Sequence, residues 1–126
     1  MTHDTQVRIH GGTVLVGADG SLGGLYVVNG FFTMDGGRWD CFVNGTTLQA
    51  TQIGATRGIT LGGTSTLYVT TTNIPPGGEP ANSQVQLMTV QFGVITGDFA
   101  TKDLNPANTW EAGVFPLMPN TYYLYN

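Results

Sequence analysis

A chain of 126 residues with a net charge of −4 and only 10% charged side chains is long enough for one domain with a real core, yet it carries well under the roughly 25% of charge usual in globular domains. Four Lys and Arg residues cannot build the basic face that tracks nucleic-acid phosphates, and no apolar run is long enough to cross a bilayer as a helix. A hydrophobic content of 40% argues against disorder, the lack of an Ala/Glu/Lys/Leu-rich composition argues against a coiled coil, and no basic segment followed by an apolar run marks a signal peptide.

Apolar residues recur with period two, and turn residues interrupt them about every eight to twelve positions, the pattern of short β-strands. Gln6 to His10 places Val7 and Ile9 on one face, and Gly11-Gly12 breaks it. Thr13 to Gly17 follows, then Asp19-Gly20, then Leu25 to Asn29. Phe31 to Met34 and Arg38 to Val43 flank Asp35-Gly36-Gly37, which predicts a hairpin because Asp-Gly supplies the positive φ angles of a type I′ turn. Asn44-Gly45 predicts a second hairpin, into Thr46 to Ile53.

Gly58 to Leu61 and the Thr-rich Thr64 to Thr72 follow. The segment from Ile74 to Ser83 holds Pro75, Pro76, Gly77, Gly78 and Pro80, which forbid a strand ladder and make it the one long loop. In Gln84 to Ile95 the apolar parity flips, from Val85 and Leu87 to Met88, Val90, Phe92 and Val94. One strand cannot keep both sets on one face, so either a bulge lies near Leu87–Met88 or a second subunit covers the other face. The tail Thr121 to Asn126 holds Tyr122, Tyr123 and Tyr125 and is expected to dock as a terminal strand, with Tyr123 and Tyr125 more buried than Tyr122. An echo between Leu22–Asn29 and the stretch from Leu61 to Val69 is read as two strands of similar style, not as a repeat architecture.

The expected fold is therefore all-β: an antiparallel β-sandwich or jelly roll of about eight strands. It forms a single domain over 1–126, with 1–5 as a flexible N-terminal arm and 121–126 as a docked C-terminal strand. The expected core includes Val7, Ile9, Val27, Phe32, Trp39, Cys41, Val43, Leu48, Ile59, Leu67, Val69, Val85, Val90, Phe92 and Val94.

The residues that carry chemistry do not assemble into a motif. Cys41, the single cysteine, lies in an apolar strand-like run and reads as a buried thiol. His3, Asp4 and His10 are too few and too peripheral for a metal site. No serine stands in a Gly-x-Ser-x-Gly turn, and Gly62-Gly63-Thr64-Ser65 lacks the lysine of a phosphate loop. No catalytic residue, metal or cofactor is expected, and the chain is read as not an enzyme. The aromatic set Trp39, Trp110, Tyr26, Tyr68 and the tail tyrosines is read as packing or subunit contact. Its alternative use is as a sugar-stacking platform in a lectin-like or fibre-head-like module that binds a carbohydrate or a receptor.

Three features point to permanent contact with other protein. Charge is scarce for a dispersed monomer, the outward strand positions are rich in Thr and Gln, and the tail is too aromatic to sit free in water. In this texture the chain resembles the small structural proteins of tailed bacteriophage virions, above all capsid decoration or cement proteins. The resemblance implies a virion protein made in the host cytoplasm and present as a homo-oligomer, a trimer first of all. Its partner would be the major capsid protein or another virion protein, with no nucleic acid and no membrane involved. Candidate interface residues are Met88, Val90, Tyr122, Tyr123 and Tyr125. Pro75, Pro76, Glu79 and Pro80 form a candidate partner-binding loop, and the arm from Met1 to Gln6 is a second partner-facing element.

Overall fold

The computed structural model describes residues 5–16, 24–104 and 110–126. Among them are fourteen strands and no helix. In chain order they are β1 (Thr5–Ile9), β2 (Thr13–Leu15), β3 (Leu25–Val28), β4 (Gly30–Met34), β5 (Arg38–Asn44), β6 (Gln49–Ala50), β7 (Gln52–Ala55), β8 (Gly58–Leu61), β9 (Thr66–Thr72), β10 (Gln84–Val90), β11 (Ile95–Gly97), β12 (Thr101–Asp103), β13 (Glu111–Phe115) and β14 (Met118–Tyr125).

Sequence neighbours mostly do not pair with one another. Each strand pairs in parallel with the equivalent strand one turn of chain later. Sheet A runs β1-β4-β8-β11, sheet B runs β2-β5-β9-β12, and sheet C begins β3-β7-β10. The chain thus winds through the three sheets in rotation, which makes it a three-sided parallel β-helix. The winding ends in sheet C, where β14 runs antiparallel to β10 and β13 antiparallel to β14. Among the described residues a short β5–β6 hairpin is the one other antiparallel pair.

The register stacks like residues in columns. In sheet A, Val7, Phe32, Ile59 and Ile95 lie side by side across the strands. In sheet B the column is Val14, Trp39, Leu67 and Lys102. In sheet C it is Tyr26, Ile53, Met88 and Tyr122. These columns point inward, and from the second turn onward their apolar members are buried. Alternate residues point outward and are mainly Thr, Gln and charged side chains, as one dry and one wet face require.

Tight corners join sheet A to sheet B, and glycine makes them possible. Gly12, Gly37, Gly63 and Gly97 all adopt positive φ, between 58° and 77°, a region that only glycine enters without cost. They also sit where successive turns touch. A Cβ on Gly36 would fall on the His10 carbonyl oxygen, one on Gly63 on that of Asp35, and one on Gly97 on that of Leu61.

This architecture corrects several expectations. An antiparallel sandwich of about eight strands is replaced by fourteen described strands, most of them parallel. Asp35-Gly36-Gly37 does not close a hairpin: it turns a corner, and β4 and β5 belong to different sheets. A repeat architecture is present, but it does not follow the Leu-Gly-Gly echo, since Leu25 pairs with Gln52 in sheet C and Leu67 with Trp39 in sheet B. Val27 is 56% exposed while Val28 is buried, and Phe92 and Val94 are 66% and 49% exposed. The strand ends at Val90 and the chain turns a corner there, so the inward position passes to Ile95. The register of β10 against β14 shifts between Gln86 and Met88, and this bulge accounts for the parity flip. Tyr122 is fully buried and Tyr123 nearly so, whereas Tyr125 is half-buried, the reverse of the order read from the tail. Thr5 and Gln6 belong to β1 and not to an arm; residues 1–4 lie outside the described residues.

Candidate functional site

The two ends of the winding are finished differently. At the end formed by β11 to β14, aromatic rings close the core. Phe99 packs edge-on against Tyr122 at 5.5 Å and tilts against Trp39 at 6.5 Å, while Trp110 and Leu124 are buried beside them. Lys102 takes the inward position of its column, and its Nζ donates to Asp98 Oδ2 at 2.6 Å and to the Ala112 carbonyl at 2.7 Å. An inward charge on a three-residue edge strand is a standard guard against further strand pairing.

The opposite end has no such guard among the described residues. Its edge strands are β1, β2 and β3. Leu15, Leu25 and Val27 are more than half exposed there, and Tyr26 is 43% exposed. Between the walls an open cavity of about 320 Å³ is lined by Val7, Ile9, Val14, Val16, Tyr26 and Phe32, among others. Among the described residues none that lines it is charged.

A second apolar surface lies along the corner between sheets C and A. Phe31 and Val94 flank Gly58 from the two neighbouring turns. Phe92 stands two residues before Val94 and is held by its backbone N–H donating to the Thr56 carbonyl at 2.8 Å. All three side chains are exposed. The adjoining outer face of sheet C carries a shallow trough of about 390 Å³ lined by Leu25, Val27 and neutral side chains such as Gln52, Gln86, Thr89 and Gln91.

The third surface is the corner between sheets B and C, where the long connections 45–51 and 73–83 lie together. The Gly45 N–H donates to the Thr72 carbonyl at 2.7 Å and Thr46 Oγ1 to the Asn73 carbonyl at 2.7 Å. Asn44 Oδ1 accepts from the N–H groups of Thr46 and Thr47. Pro76 and Pro80 are exposed and Pro75 half-buried. Glu79 turns inward: its carboxylate lies against Gly45, and both oxygens are shielded without a hydrogen-bond partner. That burial pushes its carboxyl above the ordinary value.

The structure therefore brings together Pro75, Pro76, Glu79 and Pro80, but not the candidate interface set. Met88, Val90 and Tyr122 are buried inside their own chain, where a second subunit does not reach them. Tyr123 is covered by Phe115, whose ring stacks on it at 4.9 Å, and Phe115 also meets Tyr125 edge-on. Trp39 and Trp110 are interior and form no exposed shelf for a sugar. Tyr68 lies under the Arg38 guanidinium at 4.7 Å.

Titratable groups meet at one tight corner. Asp35 Oδ1 lies 2.6 Å from His10 Nδ1, and Asp35 Oδ2 accepts from Arg8. Against a desolvation that acts the other way, His10 and then Arg8 hold the Asp35 carboxyl below its ordinary value. No group of three or more His, Cys, Asp or Glu gathers among the described residues. Cys41 is buried, its thiol pushed up to about 12 first by desolvation, with Thr51 opposing. A thiol held so far above neutrality carries almost no thiolate.

The sequence reading missed the exposed apolar corner and the open end. The signal for both is the unbroken apolar run Leu25-Tyr26-Val27-Val28 and the pair Phe92 and Val94 around Gly93; of these, Val27, Phe92 and Val94 belong to the expected core. Comparison of the chain with protein-family models, with curated proteins and with solved structures returns no match.

Proposed function

We propose that this chain is a non-enzymatic structural protein of a virion, a decoration or cement protein that binds an assembled protein shell as a homo-oligomer. The observation that carries the reading is the exposed apolar corner of Phe31, Phe92 and Val94 on a surface otherwise poor in charge. Exposed apolar side chains grouped along one edge mark protein–protein contact sites. A parallel β-helix supplies a rigid support on which such an edge keeps its shape without a ligand. The mechanism is passive: a protein that binds only the assembled shell stabilises it by mass action, and several copies joined together strengthen modest single contacts.

Density-gradient sedimentation tests this. The chain is expected to travel with intact virus particles recovered from the cells that naturally make it, and Phe92→Asp is expected to leave it at the top of the gradient while its circular dichroism is unchanged. A wild-type chain that never travels with particles overturns the reading.

A further inference from the structure

We infer that the open end of the β-helix is the docking surface for a second copy of this chain, arranged head to head about a two-fold axis. The inference rests on the homo-oligomer of the proposed function and names its contact.

Three observations choose this occupant. First, β3 has the makings of an unguarded edge. Its residues Leu25-Tyr26-Val27-Val28 include no charge, no proline and no glycine, and three of the four are exposed. An edge strand of that kind presents free backbone donors and acceptors to another strand. Second, the chemistry is self-complementary. Among the described residues the cavity lining carries no charge, so a copy of the same surface brings apolar side chains against apolar side chains. Third, the far end is sealed by Lys102, Phe99 and the β13–β14 pair. A head-to-tail stack would have to bury Lys102, so association closes at two copies and does not grow into a fibre.

The geometry follows from the winding. A two-fold axis through the sheet C edge sets β3 antiparallel to the same strand of the second copy, and each β1 against the other copy's β2. All three sheets then continue across the junction as antiparallel pairs, and the two cavities face each other. This pair takes the place of the trimer that composition suggests.

Light scattering and cross-linking test the inference. At tens of micromolar the wild type is expected at twice the 13.4 kDa chain mass, and Val27→Lys at the single mass with unchanged circular dichroism and melting temperature. Because Cys41 is buried, Val27→Cys offers one accessible thiol. Mild oxidation is expected to link that variant into a disulfide-bonded pair and to leave Phe92→Cys unlinked. A wild type at the single mass, a trimer, an open-ended series, or a Val27→Lys variant that stays paired would each overturn the head-to-head contact. None of these results depends on particle binding, which Phe92→Asp reads separately.

Discussion

The Tyr122 hydroxyl donates a 2.6 Å hydrogen bond to Asp98 Oδ1, and this contact fastens the final strand to the last corner of the winding. The same oxygen accepts the Phe99 N–H at 2.8 Å, while Oδ2 takes Lys102. Desolvation, followed by the nearby Asp98 carboxylate, pushes the Tyr122 hydroxyl above its ordinary value, so it stays a donor at every working pH. Tyr122→Phe keeps the ring and removes one bond to a charged acceptor, an expected loss of about 1.5–3 kcal/mol. The midpoint of urea unfolding reads it. An unchanged midpoint would mean that β14 is held by its backbone ladder alone.

Glycine at the tight corners gives a prediction with an internal control. Gly63 has φ of 58° and would set a Cβ on the Asp35 carbonyl oxygen, whereas a Cβ on Gly11 meets nothing within 4 Å. Gly63→Ala is therefore expected to cost at least about 2 kcal/mol, through backbone strain and a clash that only a shift of the whole turn relieves. Gly11→Ala is expected to leave the melting temperature within a degree or two, a change of a few tenths of a kcal/mol. Equal effects at the two positions would show that the turns are not stacked as described.

Glu79 predicts an acid-side gain in stability. Burial raises its carboxyl above the ordinary 4.5, so the folded chain holds this proton more tightly than the unfolded chain. The resulting stabilisation is complete below 4.5 and is lost as pH rises through the raised folded-state value. Melting temperature is therefore expected to climb as pH falls from 7 toward 4.5, and Glu79→Gln to flatten that slope and raise the value at pH 7. Asp35 acts in the opposite sense and lower down: its carboxyl sits below 3.8, so its contribution is present above 3.8 and is lost as pH falls through the depressed value. A Glu79→Gln profile identical to wild type would place the carboxylate in water.

Much of the strand content is visible in the residues, and the way strands pair is not. Val7 and Ile9, Trp39, Cys41 and Val43, and Leu67 and Val69 alternate cleanly, so their strands and inward faces follow from period two alone. A corner every eight to twelve residues, however, is as natural to a three-sided winding as to a sandwich. Nothing local in Asp35-Gly36-Gly37 says whether the chain folds back on β4 or turns away from it. The information lies in the recurrence of Gly11-Gly12, Gly36-Gly37 and Gly62-Gly63, spaced one turn apart, where backbones of successive turns touch. The pairs recur after 25 and then 26 residues, but the next turn, which sets Lys102 beside Leu67, takes 35, so the period is kept over two turns and then lost.

The interface candidates failed for a related reason. Met88 and Val90 look like a second apolar face only if β10 is regular, and the bulge at Leu87 returns them to the interior. The burial order read for the tail tyrosines is inverted because a strand next to a closed core and a strand next to water share the same alternation. Only the position of β14 between β10 and β13 fixes which ring goes in.

The long connections 45–51 and 73–83 leave the winding at the same corner, and this makes the molecule a display frame. Gly77 and Gly78 both have positive φ, and a Cβ on either meets nothing within 4 Å. Between them the backbone belongs to no sheet. A peptide spliced at that bond interrupts no ladder and leaves the stacked turns beneath it intact, while closure entropy rises only by about 0.6 kcal/mol for each doubling of loop length. The guest would project from one edge of a rigid prism, away from both the apolar corner and the open end.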